Sequence, residues 1–70
     1  MSSETVKKIG KRIKAIRQEK GLTQIEVADK AKLNSNYYSK IERGEINASP
    51  DAYGKIAKAL KVTSADIFPF

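Results

Sequence analysis

The 70-residue sequence holds fourteen Lys and Arg against eight Asp and Glu, a net charge of +6, and it has no Cys and no His. Disulfides and thiolate or imidazole metal sites are thereby excluded, and with them most nucleophile and general-base chemistry near neutral pH. One small domain is all this length allows, and the basic balance points to an anionic partner, either nucleic acid or a membrane surface.

The charge is uneven: residues 1–20 carry +5, residues 21–49 balance, and residues 50–70 carry +1. No apolar run approaches the roughly 18–20 residues of a membrane span, so a soluble, cytoplasmic protein is the default. A chain this short buries only about 60% of its unfolded surface, which leaves oligomerisation as the remaining route to extra stability.

Taken in order, Val6, Ile9, Ile13 and Ile16 recur at steps of three and four and predict an amphipathic helix over residues 4–20. Lys7, Lys8, Lys11, Arg12 and Lys14 form its basic back, Ser2 or Ser3 caps its start, and Gly21 stops it. Leu22 plugs the corner. Thr23-Gln24-Ile25-Glu26 fits a capping box, opening a helix from Gln24 to about Ala31 with Val27, Ala28 and Ala31 as a narrow apolar stripe.

After the turn Lys32-Leu33, Asn34 is the N-cap of a helix from Ser35 to about Arg43, ended by Gly44, with Tyr38 and Ile41 facing inward. Ser49 and Pro50 start a fourth helix, whose apolar face is Tyr53, Ile56, Ala57 and Leu60 and which Gly54 weakens slightly. Thr63 and Asp66 fit a second capping box, opening a short last helix with Ile67 and Phe68 before Pro69. The pattern gives an all-α chain: one compact domain over residues 1–70, with five short helices crossing at large angles and no convincing strand.

A helix of about eight residues, a turn of about three and a second helix of about nine are the proportions of a helix-turn-helix. Residues 24–43 have them. In such a unit the second helix lies in the DNA major groove, so its outward side chains must be polar and its inward ones must anchor it. Ser35, Asn36, Tyr37 and Lys40 are the outward set. Asn can pair with adenine and Lys with guanine O6 and N7.

The segments TQIEVADKA, NSNYYSKIERG, KIAKALKV and SADIF resemble the Cro/phage-repressor (Xre) helix-turn-helix family. The chain's size and the stretch YSKIERG are similar to the small controller proteins of restriction–modification systems. The resemblance implies a five-helix, lambda-repressor-like DNA-binding domain acting as a transcriptional regulator, usually as a homodimer on a palindromic operator. It further implies base reading by Ser35, Asn36, Tyr37 and Lys40. Gln24, Ser39, Arg43 and Asn47 would hold the DNA backbone, and an ion pair between Arg17 and Glu42 would join the first helix to the recognition helix.

Ile67, Phe68 and Phe70 form an apolar end that a chain this small is not expected to bury, and they are the expected dimer contact. The expected partners are double-stranded DNA and a second copy, with no membrane, small-molecule ligand, metal, cofactor or enzymatic activity. An antitoxin that also binds DNA is one alternative. The other is a protein-interaction module of the same fold, whose recognition face should be apolar at positions 35, 36 and 40. Two residues depart from the family pattern. Lys32 stands where Gly is common, at a cost of about 1 kcal/mol if the backbone is left-handed, and Pro50 stands where Leu is common.

Overall fold

The computed structural model describes residues 3–68. Phe70 lies outside them. Five helices follow one another: α1 (Glu4–Glu19), α2 (Gln24–Lys30), α3 (Ser35–Glu42), α4 (Pro50–Ala59) and α5 (Ser64–Ile67), with no strand among the described residues.

Each start is set by a short polar side chain that takes up orphaned backbone N–H groups. The Ser3 hydroxyl accepts from Val6 N, the Asn34 carboxamide from Asn36 N and Tyr37 N, and the Ser49 hydroxyl from Ala52 N. At α2 the capping box closes in both directions, between Thr23 and Glu26. At α5 the Asp66 carboxylate accepts from both the backbone N–H and the hydroxyl of Thr63. Pro50 occupies the first helical position of α4, where a missing N–H costs nothing. The departure from Leu is absorbed there.

The ends of α1 to α4 share one device. The residue after each C-cap turns left-handed, and the next N–H reaches back to a carbonyl five residues earlier: Leu22 to Arg17, Leu33 to Ala28, Glu45 to Lys40 and Val62 to Ala57. Gly21 and Gly44 adopt this conformation freely at φ 68° and 71°. Lys32 and Lys61 adopt it at 57° and 59°, against the steric preference of a residue with a Cβ. Lys32 is the position expected from sequence; Lys61 is a second case.

The apolar stripes converge on one core. Ile13, Val27, Tyr38, Ile41, Ile56, Leu60 and Ile67 have almost no exposure. Helix α3 packs against both α1 and α2, while α4 packs against α2 and α5, and α5 returns to α1. The Arg12 guanidinium donates to the Asp66 carbonyl at 2.7 Å and ties that return.

Ile67 is 0% exposed within its own chain. Its expected contact with a second copy is corrected accordingly: α5 folds back far enough that Ile67 has no surface to share. Phe68 is half-buried, edge-on to Tyr53 with ring centroids 5.6 Å apart.

Gly10 sets how closely α1 can approach α3. A Cβ there would sit 2.5 Å from the carbonyl oxygens of both Ile41 and Glu42. Backbone meets backbone at this crossing, and only glycine fits.

Candidate nucleic-acid interface

The second and third helices form a helix-turn-helix whose orientation is set by one buried carboxylate. Glu42 lies in the last turn of α3, at the negative end of the helix, where a carboxylate is disfavoured. It is 4% exposed and therefore needs partners.

It has them from three helices. From α1, Arg17 donates Nε to Oε2 at 2.6 Å and Nη2 to Oε1 at 3.1 Å, a bidentate pair. From α2, Gln24 donates Nε2 to Oε1 at 3.0 Å. From α3 itself, the Tyr38 hydroxyl donates to Oε2 at 2.5 Å. Arg17 also donates Nη1 to the Leu22 carbonyl at 2.8 Å, holding the α1–α2 corner.

Titration follows from this cluster. Burial pushes the Glu42 carboxyl up, but hydrogen bonds from Arg17, Tyr38 and Gln24 outweigh it, so it ionises below the ordinary glutamate value. The hydrogen bond to Glu42 holds the Arg17 guanidinium above its ordinary value. Burial, then the bond to Glu42, drives the Tyr38 phenol far above its usual range. At neutral pH the node is a carboxylate, a guanidinium and a neutral phenol.

With α3 so mounted, Ser35, Asn36 and Lys40 are exposed and Tyr37 is half-buried. Tyr38, adjacent to Tyr37, is fully inside with Ile41. The half-buried Tyr37 ring packs against the edge of the core, and the outward face therefore offers a hydroxyl, a carboxamide and an ammonium. These are groups able to donate to or accept from base edges.

The other candidates stand around this face with part of their capacity already used. Gln24 opens α2 and spends one N–H on Glu42, leaving a second N–H and its carbonyl oxygen. Arg43 reaches the Ser39 hydroxyl at 2.7 Å and Glu45 at 2.5 Å, so the half-buried Ser39 in the last turns of α3 and the exposed Arg43 and Glu45 after it form one cluster. The bond to Arg43 holds the Glu45 carboxyl below its usual range. The Asn47 carbonyl oxygen accepts from the Tyr53 hydroxyl at 3.4 Å, and the same hydroxyl accepts from Ala48 N at 3.3 Å, fixing the loop between α3 and α4.

Sequence reasoning did not find the Gln24 and Tyr38 bonds to Glu42. The i to i+4 spacing of Tyr38 and Glu42 was a usable signal; nothing local pointed to Gln24. Among the described residues no His, Cys, Asp or Glu cluster could hold a metal ion, and no helix is long and apolar enough to cross a membrane.

Proteins similar to this chain include a phage repressor and restriction–modification controller proteins. A helix-turn-helix family model matches residues 13–67. The immunity repressor of Bacillus phage phi105 is 44% identical over 54 residues, 77% of this chain but only 38% of that repressor. An uncharacterized HTH-type transcriptional regulator of Sinorhizobium fredii, y4dJ, is 34% identical over 61 residues, covering 87% of this chain and 79% of that protein.

Among solved structures, the restriction–modification controller protein C.AhdI of Aeromonas hydrophila superposes with a TM-score of 0.88 at 33% identity, covering 90% of this chain and 96% of its own. The controller C.Esp1396I, solved as a tetramer on its natural 35-base-pair operator, matches at 38% identity and a TM-score of 0.85, covering 90% of this chain and 83% of its own. The chain belongs to the helix-turn-helix family of DNA-binding transcriptional regulators, of the type found in phage repressors and restriction–modification controllers.

Proposed function

We propose that this protein is a homodimer that binds a palindromic operator sequence-specifically and controls transcription by occupying it. Two copies of α3, related by a two-fold axis, enter successive major grooves about 34 Å apart. Ser35, Asn36, Tyr37 and Lys40 read bases. Gln24, Ser39, Arg43 and Asn47 hold the sugar-phosphate backbone and set register. Phe68, which follows α5, contributes to the contact between copies.

The observation that carries this reading is the Glu42 node. It fixes a polar, outward-facing helix rigidly on a basic domain, and preorganised placement is what base readout requires. The same face argues against an interaction module, which would present apolar groups at positions 35, 36 and 40.

Selection of binding sites from random DNA, followed by footprinting, tests the proposal. The expected result is an inverted repeat with half-sites one helical turn apart. Recovery of a single asymmetric site, bound by a monomer at micromolar protein, would refute the dimeric operator reading.

A further inference from the structure

A second charged feature lies where the C-terminal ends of α2 and α4 meet. Lys30 and Lys32 from the first, and Lys55, Lys58 and Lys61 from the second, surround a concavity of about 470 Å³ with Ala31 and Ala59. No carboxylate lines it. Lys55 pairs with Asp51 at 3.3 Å, while Lys30, Lys32, Lys58 and Lys61 make no ion pair among the described residues. The three arginines, by contrast, are all committed: Arg12 to the Asp66 carbonyl, Arg17 to Glu42 and Arg43 to Glu45.

The carbonyl ends of α2 and α4 account for a lysine in each last turn, Lys30 and Lys58. They do not account for lysines at the two left-handed positions that follow. Of the four left-handed residues, the two that are not glycine are Lys32 and Lys61, and both line this concavity. Each accepts steric strain that glycine avoids. Lys55 is offset by Asp51 and Lys30 in part by Glu26, one turn earlier. The remaining like charges in this depression, two of them on strained backbone, are unfavourable for the isolated fold and favourable for holding an anion.

We propose that this lysine-lined groove docks an acidic segment of a partner protein, and that it does so while α3 remains free to hold DNA. The groove is at the far end of α2 from Gln24, about 9 Å along the helix axis. Its size suits a few side chains, so Glu or Asp carboxylates of a flexible segment can descend between the ammonium groups. A duplex presents its phosphates on a stiff convex rail, which meets the rim and not the floor. Lysine also suits this occupant, because its three donors on a flexible stem follow carboxylates of variable position. The groove's occupancy goes beyond the operator reading and is independent of it; only its compatibility with bound DNA rests on that reading.

The test is a titration of the full chain with a fluorescein-labelled peptide of alternating Glu and Ser, followed by anisotropy and by backbone amide shifts. Shifts are expected at residues 30–33 and 58–62. The variant Lys32→Gly/Lys58→Gln/Lys61→Gly should fold at least as well by thermal melting, since glycine relieves the left-handed positions, and should bind the peptide about tenfold more weakly. A control of equal charge, Lys8→Gln/Lys11→Gln/Lys14→Gln on α1, should bind within about twofold of the unmodified chain. Peptide binding unchanged in the groove variant, or weakened equally by the α1 control, would overturn the proposal. So would a random-sequence duplex that shifts the same groove amides as strongly as the peptide. The affinity for selected operator DNA is measured separately, so failure of the groove and failure of the operator reading are distinguishable.

Discussion

At the level of single residues, Glu42 concentrates more consequence than any other side chain. Replacing it with Ala leaves Arg17 and the Tyr38 hydroxyl buried without their acceptor. The expected loss is about 3–5 kcal/mol in chemical denaturation; a loss under about 1 kcal/mol would mean that water replaces the carboxylate. Glycines sort by their surroundings. Gly54→Ala in α4 meets nothing within 4 Å and should stabilise by about 0.5–1 kcal/mol, because Ala restricts the unfolded chain. Gly10→Ala must displace two backbone carbonyls and should cost about 1–3 kcal/mol or more. Thermal melts of the two variants should move in opposite directions. This contrast was not legible in the sequence, where both are isolated glycines within helical patterns. What separates them is a neighbour thirty residues away in α3.

At the level of elements, the helices were readable because their signals are local. Caps at Thr23, Asn34, Ser49 and Thr63 sit where short polar residues precede apolar periodicity, and Gly21 and Gly44 mark two ends. Lys61 was missed because a lysine after a helix carries no breaker signal; only the recurrence of the same end on all four helices reveals it. The polar outer face of α3 was readable for the same reason as the caps: the helical period separates the buried Tyr38 and Ile41 from the exposed Ser35, Asn36 and Lys40. Of its supports, the Arg17–Glu42 pair was expected from the family resemblance and is present, while the Gln24 bond to Glu42 was not, because the two residues come from different helices and no local pattern links them. Two substitutions separate the roles proposed on and after α3. Lys40→Ala should cost about 1–3 kcal/mol on the selected operator and relax preference at one base pair. Arg43→Ala should weaken all sequences to a similar degree and lower the salt slope by about one. Equal loss of operator and random DNA with Lys40→Ala, or altered base preference with Arg43→Ala, would reverse those assignments.

Across the whole molecule, pH acts through carboxylates alone at the acid end. Glu42, Glu26, Glu45 and Asp66 all ionise below their ordinary values in the folded chain. A depressed folded value means stability that is present above the unfolded value and lost as pH falls through the folded one. Stability should therefore be flat from about pH 5 to 8, where no histidine titrates. It should decline progressively below the ordinary glutamate value of 4.5. Glu42→Gln should flatten that decline in urea titrations run across the acid range, since the other three groups are exposed. The crossing at Gly10 has a further consequence for how DNA is read. With α1 backbone seated directly on the α3 carbonyls and the Glu42 node clamping the same end, tilting α3 toward a variant half-site would break packing and buried hydrogen bonds together. The adjusting then falls to the duplex, so the proposed operator should show sequence preferences at base pairs no side chain touches, set by how readily each step bends or untwists.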